Sequence, residues 1–325
     1  MKKNDEVTGV VTALGCNYEG IVKIDNTVCF VPFALVGEKV TFKVLKVSKT
    51  KEGYIAFCKL LEVLTPADER VRPQCKYFRK CGGCVLQHLK YKEQLKVKNQ
   101  TVKDCFRKIA GIKLSLKSTV KSELEYNYRN KLQLPVRNTR DGNAIGFFAE
   151  NSHRLVPITE CAIQKDWSTK IIETVNDFIL KYNVSCYNED TKEGLFRHIV
   201  VRGIDKSLLI VAVINGSVLP FADKLIEMLQ QQFMKFSFFV NENLGDDNVI
   251  LGDKFTLLYG VDKINTEEFG IKYTIGAQSF MQVNDGVKSR LYSDVVKVLG
   301  LDLDTIAIDA YSGSGLMTAL LAKNA

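Results

Sequence analysis

Three cysteines within ten residues, in Cys75-Lys-Tyr-Phe-Arg-Lys-Cys81-Gly82-Gly83-Cys84, constrain this chain more than any other stretch. Soft thiolates this close together, on a turn freed by a glycine pair, can face one point as zinc or an iron–sulfur cluster requires. A fourth ligand must come from elsewhere. Cys161, at a strand-to-turn junction in Val156-Pro-Ile-Thr-Glu-Cys161, is the best candidate. The N-terminus, Met1-Lys-Lys-Asn-Asp-Glu, lacks the apolar core of an export signal. The nine cysteines are therefore expected to be reduced thiols and metal ligands of a cytoplasmic protein, not a disulfide framework. No membrane partner is expected, because the longest apolar run, Leu208 to Ile214, is too short to cross a bilayer.

Charge concentrates around the same turn. The chain of 325 residues carries a formal net charge of +8, and residues 66 to 108 alone hold twelve Lys or Arg against four Asp or Glu. So local a positive patch is the footprint of a phosphate-backbone partner; the bland alternative is a solvated helix face.

Before the patch, short segments alternate apolar and polar residues: Val7 to Thr12, Gly20 to Ile24, Val28 to Pro32, Val40 to Val47 and Tyr54 to Leu61. Five short strands in so few residues predict a small closed barrel of the OB type, a fold that commonly binds single-stranded nucleic acid. Lys39, Lys43, Lys46, Lys49 and Lys51 would line its basic side, and Cys16, Cys29 and Cys58 read as small buried fillers. Beyond the cysteine turn, Leu95, Val102, Phe106 and Ile109 recur at helical spacing until Gly111, with Cys105 assigned to the core.

From Tyr126 to Gly260 the pattern predicts an α+β unit built mostly of sheet, with strands at Lys131 to Val136, Ala144 to Phe148, Phe196 to Gly203, Leu208 to Ile214 and Ser237 to Asn241. Helices are predicted around Ile171, Ile172, Val175 and Ile179 and over Phe221 to Phe233. Basic residues punctuate this unit at Tyr128-Arg129-Asn130-Lys131, at Arg197-His198 and at Arg202. His198 alternates within a strand and reads as structural.

A third unit follows. Phe280-Met-Gln282-Val-Asn284 precedes a helix from Val287 to Leu299, and Thr305-Ile-Ala-Ile-Asp309-Ala-Tyr311-Ser-Gly313-Ser-Gly315 leads into a helix from Leu316 to Ala322. Strand, glycine-rich turn and helix open a doubly wound nucleotide-type fold. The third glycine of the dinucleotide fingerprint is missing, which disfavours NAD; an acid at the strand end followed by Tyr311 fits S-adenosylmethionine better.

Taken together, the three cysteines, Leu86-Gln87-His88-Leu89-x-Tyr91-x-x-Gln94-Leu95-x-x-Lys98, Tyr128-Arg-Asn-Lys131, Gly146-Phe147, the Cys161 context, Leu195-Phe-Arg197-His198, Asn241-Glu-Asn243, the Ser279-to-Asn284 turn and the Asp309-to-Gly315 loop resemble the iron–sulfur-containing 5-methyluridine RNA methyltransferases that carry a TRAM domain. The likeness runs essentially the whole length. It implies a multidomain chain: an OB-type TRAM barrel over 1–65, a central α+β iron–sulfur domain over 66–262, and the start of a Rossmann-like methyltransferase domain over 263–325. It further implies a [4Fe-4S] cluster on Cys75, Cys81, Cys84 and Cys161, with zinc as the competing occupant. S-adenosylmethionine would lie at Gln282, Asp309, Tyr311, Gly313, Gly315 and Leu316, and RNA at Arg129, Lys131, Arg197 and Phe280. The implied activity is methylation of uridine C5 by a monomer, most often in 23S ribosomal RNA and otherwise in transfer RNA. The competing function is a non-catalytic RNA-binding protein with a structural cluster.

Uracil C5 is a poor nucleophile. Such enzymes add a cysteine thiolate to C6, let the enolate attack the sulfonium methyl, remove the C5 proton with a carboxylate and eliminate the cysteine, all on a base drawn out of its stack. Neither residue can be assigned here, since in the family both lie beyond the glycine loop. The expectation is a truncated chain that binds RNA and cluster without methylating, with Ile306, Ile308, Leu316, Leu320 and Leu321 short of packing partners. Ser312, where the family often has Cys, and Leu316, where a polar residue is common, depart from the pattern.

Overall fold

Alternating valines and isoleucines in the first 65 residues build a six-stranded curled sheet: β1 (Glu6–Val10), β2 (Ala13–Leu14), β3 (Gly20–Ile24), β4 (Thr27–Val31), β5 (Lys39–Thr50) and β6 (Gly53–Thr65). The computed structural model describes residues 1 to 325, and these separate into two compact units, Met1–Lys121 and Ser122–Ala325. In the first, the strands run in the order β1-β5-β6-β4-β3-β2, with β4 and β6 parallel and the other neighbours antiparallel. Register shifts between β5 and β6 bend both strands, as bulges do. Gly9 lets β1 lie against β3, because a Cβ there would collide with the Val22 side chain. Val11, Val22, Val31, Val40, Phe42 and Val44 fill one core, joined by Cys29 and Cys58. Cys16 is exposed, so it is not the filler its composition implied: it sits in the turn between β2 and β3.

Helix α1 (Tyr91–Ala110) ends where Gly111 takes a left-handed conformation and returns its N–H to Phe106 O. Its period matches the sequence, yet none of its residues is buried; Val102, Phe106 and Ile109 are exposed, and Cys105 with them. Periodicity shows that a helix has an apolar stripe. It does not show what covers it.

The second unit centres on a seven-stranded sheet of order β13-β12-β11-β10-β7-β8-β9. Its elements are β7 (Lys131–Thr139), β8 (Gly142–Phe148), β9 (Leu155–Pro157), α2 (Trp167–Lys181), β10 (Phe196–Ile204), β11 (Ser207–Ile214), α3 (Ala222–Gln232), β12 (Phe236–Glu242) and β13 (Lys254–Tyr259). The β11–α3–β12 crossover supplies the one parallel pair; the other neighbours are antiparallel. Every residue of β10 is buried, as expected of a strand covered on both faces. At Gly203 one face lies against α2, where a Cβ would fall 2.8 Å from Trp167 Nε1. On the other face Val200, Ile204, Leu209, Val211, Val213 and Phe239 pack with Ile264, Ile275 and Ala277.

Those last residues belong to or follow a hairpin, β14 (Lys263–Glu268) and β15 (Ile271–Gly276), turned by Phe269 and Gly270, both at positive φ. Helix α4 (Asp285–Leu299) starts at Asn284, whose side chain accepts from Val287 N, and α5 (Leu316–Ala322) follows the glycine loop. The strand expected at Thr305 to Asp309 does not form. No neighbouring strand offers it a hydrogen-bond ladder, and Ile306 and Ile308 are 93% and 89% exposed. Leu316, Leu320 and Leu321, by contrast, are buried, where α5 meets β15 and α4. No helix is long and apolar enough to cross a membrane.

Candidate functional site

In the first unit the cysteine turn is held by its own backbone and by a buried ion pair. Cys75, Cys81 and Cys84 are half-buried. Phe78 N–H donates to Cys75 O (3.1 Å), Cys81 N–H to Tyr77 O (2.9 Å), and Gly83 N–H to the Cys81 sulfur itself (3.3 Å). Phe78 packs on His88 and edge-on to Phe33, each with ring centroids 5.3 Å apart. Glu38, fully buried, accepts from Leu35 N–H (2.8 Å), Ala67 N–H (3.2 Å) and the Arg70 guanidinium (2.7 Å at Nη2). Burial alone would raise its pKa; the Arg70 and backbone hydrogen bonds together outweigh it and hold the carboxylate low. Burial, reinforced by the Arg70 and Arg79 charges, pushes His88 down to about 4, so its ring is neutral near pH 7.

Cys161 belongs to the second unit, on the segment after β9. No group of three or more His, Cys, Asp or Glu side chains placed to hold a metal ion is found. The chemistry of the donor set fits a thiolate-bound metal all the same. Three half-buried thiols share one turn, and one already accepts a backbone N–H, as cluster sulfurs do.

The second unit brings two sets of candidate residues together around Asn130. This fully buried side chain donates from Nδ2 to Gln282 O (3.0 Å) and to Asp285 Oδ1 (2.6 Å), and its backbone N–H donates to Val283 O (2.9 Å). Lys165 clamps the other oxygen of Asp285 at 2.7 Å. Arg129 bridges by backbone pairing to Gln164 and Asn284, and Gln164 Nε2 donates to Lys131 O (3.0 Å). The Phe280–Gln282 turn, with Phe280 72% exposed, is thereby pinned beside the half-buried Arg129 and Lys131. Burial, then the Arg202 and Arg129 charges, lower the Lys131 pKa.

Arg197 is a different case. It is 3% exposed; Nη1 donates to Asn243 O (2.8 Å) and to the Gly245 carbonyl, and the guanidinium lies 4.4 Å over the Tyr187 ring. It is an interior strut, which corrects its assignment to an RNA surface. Arg137, which the sequence pattern missed, is likewise buried and paired to Glu189 at 2.7 Å. Its Nη2 lies 3.3 Å from His198 Nε2. Burial first, then the Arg137 and Arg197 charges, hold His198 well below the usual histidine range.

A stability prediction follows from His198. The folded ring stays neutral while the unfolded one titrates near 6.5, so protons bind the unfolded state preferentially as pH falls below that value. This contribution is intact above about pH 6.5 and is lost at about 1.4 kcal/mol per pH unit below it. Urea denaturation between pH 7 and 5 should show a shallower decline for His198→Gln by that amount; parallel declines would mean that the folded ring takes up its proton normally.

Of the cofactor candidates ahead of α5, Asp309 is half-buried and accepts from Thr318 Oγ1 (2.6 Å). Tyr311 is fully exposed at φ 62°, and Gly313 and Gly315 hold φ of 58° and 77°. Such left-handed backbone suits glycine and strains tyrosine. Leu316 turns inward at 4% exposure, so its side chain packs and is not offered to a ligand.

Basic residues beside an exposed phenylalanine offer the charge and the stacking face that a nucleic-acid partner uses. No family model matches the chain. Over 328 residues, all of this chain and 70% of the relative, it is 37% identical to an uncharacterized RNA methyltransferase of Clostridium tetani. An uncharacterized RNA methyltransferase of Clostridium acetobutylicum is also 37% identical, over 331 residues and 71% of its length. Among solved structures, the Pyrococcus abyssi tRNA (uracil-54, C5)-methyltransferase in complex with S-adenosyl-L-homocysteine is similar, with TM-score 0.73 and 26% identity, over 97% of this chain and 70% of that one. The chain belongs to the RNA methyltransferase family.

Proposed function

We propose that this protein serves the transfer of a methyl group from S-adenosylmethionine to C5 of a uridine in RNA, with large-subunit ribosomal RNA as substrate. The observation that carries the reading is the Asn130 junction: in a chain whose relatives are RNA methyltransferases, one buried side chain ties the candidate cofactor turn to the candidate RNA strand. In this reading residues 1–65 are a TRAM barrel, 66–262 a central domain and 263–325 belong to the methyltransferase domain. Gln282, Asp309, Tyr311, Gly313 and Gly315 hold the cofactor, which supplies an electrophilic methyl sulfonium when bound. Arg129 and Lys131 neutralise phosphate, and Phe280 offers a stacking face to an unstacked base.

Transfer RNA is the second reading, favoured by the substrate of the Pyrococcus enzyme. Deleting the encoding gene and digesting separated ribosomal and transfer RNA to nucleosides decides between them. Loss of 5-methyluridine from ribosomal RNA is expected; loss confined to transfer RNA moves the substrate, and no loss in either pool overturns the activity.

The reading includes a [4Fe-4S] cluster on Cys75, Cys81, Cys84 and Cys161, a covalent staple among four thiolates with no redox step. Anaerobically purified protein should contain iron and acid-labile sulfide in equal amounts, and Cys161→Ser should lose most of both. Zinc in place of iron, or a Cys161→Ser protein with full iron, would exclude this set.

A further inference from the structure

Arg202 stands out among the buried cations of the second unit. It is 2% exposed, and its Nε and Nη1 have no hydrogen-bond partner. Its neighbours are better served: Arg137 has the Glu189 carboxylate, and Arg197, although its Nε also lacks a partner, has the Asn243 and Gly245 carbonyls at Nη1, whereas no hydrogen bond reaches the Arg202 guanidinium. An arginine cannot shed its proton to escape burial, so an unpaired one is costly until an anion meets it.

Its place on the sheet narrows the choice of anion. Arg202 is registered between Lys131 on β7 and Leu209 on β11. Because Gly203 abuts Trp167 of α2, Arg202 points to the opposite face, where Met281 of the Phe280–Gln282 turn packs. Lys131 and Gln133, half-buried, occupy the same face of β7, and Arg129 precedes them. The Lys131 ammonium feels both arginine charges. Asp285, the carboxylate bonded to neighbouring Asn130, is already taken by Lys165 and Asn130. Arg202, Lys131 and Arg129 therefore stand together with no acidic charge acting on Arg202 or Lys131.

We propose that Arg202 receives a phosphate of the RNA substrate, with Lys131 and Arg129 beside it, an inference that rests on the RNA methyltransferase reading. The planar guanidinium fork presents two donors to two non-bridging oxygens, and the buried setting strengthens each bond.

The test compares Arg202→Met with the unaltered protein in three measurements. In urea unfolding without RNA the variant should be as stable as the parent or more so, since an isosteric apolar group replaces an unpaired charge. Binding to a uridine-containing fragment of large-subunit ribosomal RNA should weaken about tenfold, and the slope of log affinity against log salt should fall by about one. Pyrophosphate should raise the thermal midpoint of the parent and not of the variant. Marked destabilisation of Arg202→Met would show that the guanidinium is satisfied within the protein, and unchanged RNA affinity and salt slope would show that no phosphate reaches it; either overturns the proposal. If the parent binds no RNA while pyrophosphate still acts through Arg202, the RNA reading falls and the anion site stands. RNA binding that Arg202→Met leaves intact has the reverse meaning.

Discussion

Replacing Glu38 with alanine is expected to destabilise the N-terminal unit by about 3–5 kcal/mol, the usual cost of removing one partner from a buried ion pair. Glu38 is fully buried and Arg70 is 18% exposed, so little water is present to compensate the guanidinium left behind. The loss is wider than one pair. Leu35 and Ala67 N–H groups lose their acceptor, while Arg70 keeps only the Phe33 carbonyl. Arg70 also pairs by backbone with Leu89, and Val71 N–H reaches His88 O, so the carboxylate fixes the frame on which the cysteine turn sits. Urea unfolding followed by far-UV circular dichroism reads the effect; the single tryptophan, Trp167, reports on the other unit. Glu38→Gln keeps an acceptor and should cost less than alanine. A loss under about 1 kcal/mol for Glu38→Ala would place the pair with solvent-screened surface bridges.

Much of this architecture was legible because burial on one face writes a period into the sequence. The segment Gly20 to Ile24 and the Ile171–Ile179 stripe form the elements that their periods predict, and the unbroken apolar run Leu208 to Ile214 forms a strand buried on both faces. The failures share a cause: the deciding partner is distant along the chain. Ile306-Ala-Ile308 has the composition of a strand, but a strand needs a neighbour, and none is present. The β14–β15 hairpin was missed because its strands carry Lys, Thr and Glu on the open face; the Phe269-Gly270 turn was the available signal. Arg137 lies at the end of an apolar strand, where a cation reads as solvated until Glu189 is seen opposite. Likewise, nothing in sequence spacing distinguishes Arg197, whose Nη1 meets backbone carbonyls, from Arg202, whose Nε and Nη1 meet nothing.

Asn130→Ala is expected to cost about 2–3 kcal/mol of folding stability and to weaken S-adenosyl-L-homocysteine binding about tenfold or more. The stability loss comes from a fully buried amide that donates to Gln282 O and to the charged Asp285, the latter at 2.6 Å. Alanine leaves the Gln282 carbonyl unmet and Asp285 dependent on Lys165, with Lys288 3.9 Å from it. The binding loss is indirect. Asn130 touches no cofactor in the proposed reading; it positions Gln282 by holding that residue's backbone, and a binding group released from its pose loses the advantage of being pre-ordered. Asn130→Asp probes the same contact a second way. It keeps the size of the side chain but sets a carboxylate against Asp285, so it should destabilise more than alanine and bind cofactor no better. Urea unfolding and isothermal titration with S-adenosyl-L-homocysteine measure both quantities on the same samples. Unchanged binding in an Asn130→Ala protein that has lost the expected stability would remove Gln282 from the cofactor site, because the turn carrying it would have been loosened without consequence.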